Sequence, residues 1–224
     1  TVGDPRAHYG LGMALFDDGK LDEAIDQLRQ FVRKEPLLLE VISSRRTIGA
    51  ALVRQGKLGE AEAEFRELLR MRPGDADAHG LIAETLFKEG KYEEAIGHYQ
   101  ALLKVKPRFA AALTSLGISS IALGRVDEAI AYFRRAIDID HSGSAERNLA
   151  RALLEKRDYQ EAAVHADRAV TLLPDDAVAH DELGLALAGQ GKRDAAVLEF
   201  RRSLQLDPND PEVREHLAAA LRAS

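Results

Sequence analysis

A small residue returns along this chain at nearly fixed intervals. Ala24, Ala61, Ala95, Ala129, Ala162 and Ala196 are separated by 37, 34, 34, 33 and 34 residues. Five residues before each stands a glycine (Gly19, Gly56, Gly90, Gly124, Gly191), replaced once by Arg157. Twelve residues after each stands a proline (Pro36, Pro73, Pro107, Pro174, Pro208), replaced once by His141. A period of this length signals one supersecondary unit copied in series, each copy burying its apolar face against the next.

Each member of the pattern has a physical task. Glycine closes a helix because it adopts a left-handed conformation without a Cβ clash. The acids that follow, as in Leu21-Asp22-Glu23-Ala24 and Tyr92-Glu93-Glu94-Ala95, suit the positive end of a second helix. Proline ends that second helix. Apolar residues recur at helical spacing before each glycine (Leu11 and Leu15, Ile48 and Leu52, Ile82 and Leu86, Leu183 and Leu187). A small residue accompanies them each time, Gly12, Gly49, Ala83, Gly117, Ala150 and Gly184, and the second helix answers with Leu28, Phe65, Tyr99, Phe133 and Phe200. No useful length alternates with period two, so strands are not expected.

The spacing predicts an all-α chain of six helix–turn–helix units over about 5–38, 42–75, 76–109, 110–142, 143–176 and 177–210, with a capping helix over about 211–222. Asp210-Pro211-Glu212 reads as an N-cap with proline at the first helical position. Val213, Leu217 and Leu221 lie on one face of that last helix, which suits a cap over a final apolar face.

The spacing of 34 and the order Leu-Gly, Gly, Ala, Phe, Pro resemble the tetratricopeptide repeat family over about residues 5–208. The resemblance implies antiparallel helix pairs stacked in one array, a right-handed α-solenoid whose concave groove is lined by the first helices. It also implies a non-catalytic scaffold for a protein or peptide. The chain departs from the family in places. The usual early aromatic is replaced by His8, Arg45, His79, Leu113, Glu146 and His180, and the small residue late in the second helix is bulky in the first three units (Phe31, Leu68, Leu102).

Transferring the family's groove positions gives a partner-binding set of Tyr9, Met13, Phe16, Arg46, Arg54, Leu81, Phe87, Thr114, Arg147, Asn148, Arg151, Asp181 and Glu182. Tyr9, Met13, Phe16, Leu81 and Phe87 are either an apolar pocket or residues buried against neighbouring helices. Arg147 and Arg151, one turn apart, form a fork for a carboxylate or phosphate, or Arg151 pairs with Glu155 and both are solvated. Chaperone-binding members of the family hold a terminal carboxylate with Lys and Asn at these two positions. Here Glu182 stands where the next unit would supply Asn, and its charge is expected to repel such a ligand. Leu37 to Ile42, five of its six residues apolar, either lengthens a helix or offers a surface for self-association.

Composition narrows the rest. A net charge of −6 argues against nucleic acid, which calls for a basic stripe. There is no cysteine and no two histidines are spaced i, i+4, so neither a thiolate nor a helical zinc site is expected. Gly10-Leu11-Gly12 and Gly189-Gln190-Gly191-Lys192 follow no predicted strand and read as helix and turn. Asp75-Ala76-Asp77 reads as a helix cap. No catalytic, cofactor or metal site is predicted. No apolar run reaches the roughly 18–20 residues that cross a bilayer, so direct membrane insertion is not expected, and no signal segment is visible. The chain opens without Met, which fits an interaction or oligomerisation module of a larger enzyme or membrane-associated assembly as an alternative to a free-standing scaffold.

Overall fold

The computed structural model describes residues 5–34 and 39–222. Among the described residues there are thirteen α-helices and no strand. In order they are α1 (Pro5–Asp17), α2 (Leu21–Lys34), α3 (Leu39–Arg54), α4 (Leu58–Met71), α5 (Ala76–Lys88), α6 (Tyr92–Val105), α7 (Ala110–Ala122), α8 (Val126–Asp140), α9 (Gly143–Glu155), α10 (Tyr159–Leu172), α11 (Ala177–Gly189), α12 (Arg193–Leu206) and α13 (Pro211–Arg222). Helices pack in consecutive pairs, α1 with α2 through α11 with α12, each pair joined by three residues. Two compact units result, residues 1–107 with α1–α6 and residues 108–224 with α7–α13.

The turn inside each pair follows from the glycine. Gly56, Gly90, Gly124 and Gly191 sit at φ between 72° and 76°. The next amide reaches back five residues, as from Lys91 N–H to Leu86 O at 2.9 Å, satisfying a carbonyl the helix end leaves open. Arg157 adopts the same conformation (φ 59°) and Asp158 N–H reaches Leu153 O at 2.9 Å. The turn therefore survives the loss of its glycine, at the cost of holding a side chain in the left-handed region.

Caps set the starts of several helices. The Asp75 carboxylate accepts from the Asp77 and Ala78 amides at 3.0 Å each. Asp176 does the same for Val178 and Ala179, and Asp210 for Glu212 and Val213. His141, in the proline's place, is itself left-handed (φ 48°), and Ser142 caps α9 after a shorter turn.

Small residues let the helices of a pair approach. A Cβ on Gly49 would lie 2.2 Å from the Phe65 ring, and one on Gly117 would lie 2.3 Å from the Phe133 ring. Both rings are 1% exposed. In the N-terminal unit Leu28, Phe31, Ile48, Leu52, Phe65, Leu68 and Leu86 are fully buried, so the bulky Phe31, Leu68 and Leu102 are accommodated in the core. In the C-terminal unit Ala196, Phe200, Val213 and Ala220 form one core cluster, with Leu217 packed against it. Thus α13 packs against α12, and Leu221 stays exposed. Of the apolar stretch at the second repeat, Leu37 and Leu38 lie outside the described residues. The rest begins α3, which is 16 residues long against 13 for α5. There Val41 is buried and Leu39 is 69% exposed.

Candidate functional site

The first helices of successive pairs touch one another: α1 with α3 in the N-terminal unit, α7 with α9 and α9 with α11 in the C-terminal unit. Two clefts open on these helices at equivalent places in the repeat. One, of about 180 Å³, is lined by Ala50 and Val53 of α3, Phe65 of α4, and Leu81 and Thr85 of α5, with Arg54, Glu84 and Lys88 at its rim. The other, of about 310 Å³, is lined by Ile118, Ile121 and Ala122 of α7, Phe133 of α8, and Asn148 and Arg151 of α9. In both, a phenylalanine of the second helix forms part of the wall because the glycine opposite lets the ring through.

The rims differ. In the first cleft the Lys88 ammonium pairs with Glu84 at 2.9 Å, and the Arg54 guanidinium stacks over the Phe16 ring at 5.4 Å. In the second, Arg151 is exposed and Asn148 half-buried. Neither makes a hydrogen bond or an ion pair with a described residue, so the alternative of an Arg151–Glu155 pair is not formed among them. Arg147 is committed elsewhere, to the Asp176 carboxylate, so the two arginines do not form a fork.

Glu182 of α11 is 6% exposed, and its Oε2 has no hydrogen-bond partner. Burial pushes its pKa up to about 8, and Asp176 and Asp181 add to the rise against the pull of Arg147 and Arg151. At neutral pH this carboxyl is therefore mostly protonated and does not present the repelling charge that its position in the sequence suggests. Its neighbour Asp181 accepts from His216 Nδ1 at 2.9 Å; its pKa is also raised by burial, opposed by that histidine.

The other candidate residues are distributed along the same helices. Tyr9 packs on the Phe31 ring at 5.4 Å, and its hydroxyl donates to Ser43 Oγ at 3.4 Å. Met13 Sδ accepts from the Thr47 hydroxyl at 3.5 Å. Phe87 stands edge-on to Tyr92 at 5.6 Å. Arg46 is exposed, and Thr114 is half-buried on α7. Tyr9 and Phe87 each pack on a ring of their own hairpin, Tyr9 also reaching Ser43 of α3, and of the five apolar residues Leu81 lines the cleft with Phe65.

A family model for the tetratricopeptide repeat matches residues 3–37, 46–103, 81–145 and 147–211. The chain belongs to the tetratricopeptide repeat family. Solved structures agree on the fold. A tetratricopeptide repeat protein from Parabacteroides merdae superposes with a TM-score of 0.74 at 19% identity, covering 97% of this chain and 98% of that one. MamA 41-end from Desulfovibrio magneticus gives 0.72 at 22% identity, over 78% and 98%. YrrB, described as a tetratricopeptide repeat protein with an unusual peptide-binding site, gives 0.71 at 17% identity, over 88% and 96%. No curated protein matches the sequence.

The tetratricopeptide repeats of this chain carry one device that the sequence reading missed. At five of the six places that lack the early aromatic, all but that of Leu113, a polar residue of the first helix reaches a polar residue nineteen positions on, in the second. His8 meets Gln27 at 2.7 Å, Arg45 meets Glu64 at 2.6 Å, and His79 meets His98 at 3.0 Å. Glu146 meets His165 at 2.5 Å and His180 meets Glu199 at 2.7 Å. His98 has its pKa lowered, first by burial and then by His79. The paired positions form two sequence columns nineteen residues apart, a signal that no single histidine carries.

Proposed function

We propose that this chain is a non-catalytic scaffold that binds a peptide segment of a partner protein along its first helices. The six pairs are read as repeats of one array over residues 5–210, closed by 211–222. One observation carries the reading: a cleft with a phenylalanine in its wall and polar or charged groups at its rim occurs in each unit, at the same place between successive first helices. Such a place offers apolar burial for affinity and a few polar groups for orientation, the make-up of a recognition surface. The contact set is Tyr9, Met13, Phe16, Arg46, Arg54, Leu81 and Phe87 in the N-terminal unit, and Thr114, Arg147, Asn148, Arg151, Asp181 and Glu182 in the C-terminal one. YrrB, a relative in fold with a peptide-binding site, supports the same use here.

The test is selection of binders from a random peptide library on the full chain, followed by amide hydrogen exchange of the complexes. Added protection is expected on the exposed faces of α3, α5, α7, α9 and α11. Protection confined to the second helices, or no selected binder, would refute the reading.

A further inference from the structure

We propose that the cleft between α7 and α9 is a subsite for an extended partner segment carrying an aliphatic side chain and, two residues away, an Asp or Glu side chain. This rests on the reading of the first helices as the binding face and names the ligand chemistry at one point of it. Ile118, Ile121, Ala122 and the Phe133 ring give the cleft apolar walls, and its volume of about 310 Å³ is at the small end of ligand sites. It is large enough for a leucine-sized group and too small for a folded element.

Charge supplies the second recognition element. The Arg151 guanidinium opens onto the same cleft with no ion pair to a described residue, beside the unbonded Asn148 amide. A guanidinium left to water is open to a charge-assisted bond from an incoming carboxylate. Nearby carboxylates do not match it: Asp176 is held by Arg147, and Glu182 is buried and mostly protonated at neutral pH. One guanidinium with one amide suits a single carboxylate better than a phosphate, which calls for more donors. In an extended segment, residues i and i+2 point the same way, so one can fill the apolar cleft while the other reaches Arg151. The equivalent cleft of the N-terminal unit lacks this feature, since Lys88 pairs with Glu84 and Arg54 stacks on Phe16. It serves as an internal control.

The probe is the end-blocked peptide acetyl-Gly-Leu-Gly-Asp-Gly-amide, whose only carboxylate is the Asp side chain. It is titrated to about 10 mM, where one contact of this size approaches saturation, into the full chain with isoleucine methyls and arginine Nε labelled for NMR. Ile118, Ile121 and Arg151 signals are expected to shift. Replacing Leu by Ala in the probe is expected to weaken binding about 10-fold, and replacing Asp by Asn about 5-fold. In the Arg151→Gln variant, which changes only an exposed side chain, the Asp and Asn probes are expected to bind alike.

Three results overturn the proposal: no shift of Ile118 or Ile121, equal binding of the Asp and Asn probes to the unaltered chain, or an Asp preference that survives Arg151→Gln. Tighter binding by acetyl-Gly-Leu-Gly with a free C-terminus overturns the side-chain assignment in favour of a terminal carboxylate. If library peptides protect the first helices while Ile118 and Ile121 stay silent, the subsite falls and the scaffold reading stands. If no peptide touches the first helices, both fall.

Discussion

The clefts at Phe65 and Phe133 are built alike and finished differently. Each depends on a glycine that admits a phenylalanine ring, Gly49 in one and Gly117 in the other. Around the first, Lys88 pairs with Glu84 and Arg54 lies over the Phe16 ring; around the second, Arg151 has no ion pair among the described residues. The repeat therefore dictates where a cleft opens, and a few rim residues set the charge around it. Glu84 and Arg151 hold the same place in the two copies, differ in charge, and leave the packing beneath them alike.

The comparison breaks if the shared phenylalanines are not equivalent. Phe65→Ala and Phe133→Ala are each expected to cost about 3–5 kcal/mol, read as lost hydrogen-exchange protection in α3–α4 and in α7–α8. A cost below about 1 kcal/mol at either site would mean that ring is not part of the core.

Glu182 sharpens the contrast through pH. Its folded pKa of about 8 lies above the ordinary 4.5, so the folded state binds the extra proton. Its stabilising share is complete below pH 4.5 and lost as pH rises through 8. Glu182→Gln removes that loss. The variant is expected to gain about 2–4 kcal/mol over the parent at pH 9 and almost nothing at pH 4. Denaturant titration at the two pH values checks this, and an equal gain at both would mean the carboxyl is not ionising in place.

The glycines come next. Gly49→Ala and Gly117→Ala each force a Cβ into a ring, with an expected loss of about 1–3 kcal/mol. Gly10→Ala meets nothing within 4 Å and is expected to gain about 0.5–1 kcal/mol from helix propensity. Thermal unfolding separates the signs.

The smallest effect is at the rim. Glu84→Gln breaks an exposed pair and is expected to change stability by less than about 0.5 kcal/mol, while freeing Lys88 to imitate Arg151. Titration with the Asp-bearing probe is then expected to perturb Leu81, which the parent chain's Leu81 does not show.

The sequence was legible where one residue type has one physical role. Glycine at the turns, proline after the second helix and aspartate at the caps all lie where their chemistry puts them. Even Arg157, which departs from the pattern, holds the turn its position demands. Legibility failed where the outcome depends on which neighbour a side chain meets. Arg151 has Glu155 one turn away yet does not pair with it, because a helical spacing permits an ion pair without enforcing it. Glu182 reads as a surface charge, but packing among α9 and α11 buries it, and no local pattern reveals that. Tyr9 and Phe87 occupy groove positions in the repeat, yet each turns to an aromatic ring of its own hairpin.

The nineteen-residue pairs bear on how such a chain avoids assembling itself wrongly. Hairpins of one design invite the first helix of one to fold against the second helix of another. The polarity of the pairs opposes this in the C-terminal unit: Glu146 faces His165, whereas His180 faces Glu199. Exchanging partners would set Glu146 against Glu199 and His180 against His165, like against like in a half-buried seam. These two neighbouring hairpins thus carry opposite polarity at one seam, and each matches its own partner helix and mismatches the other's.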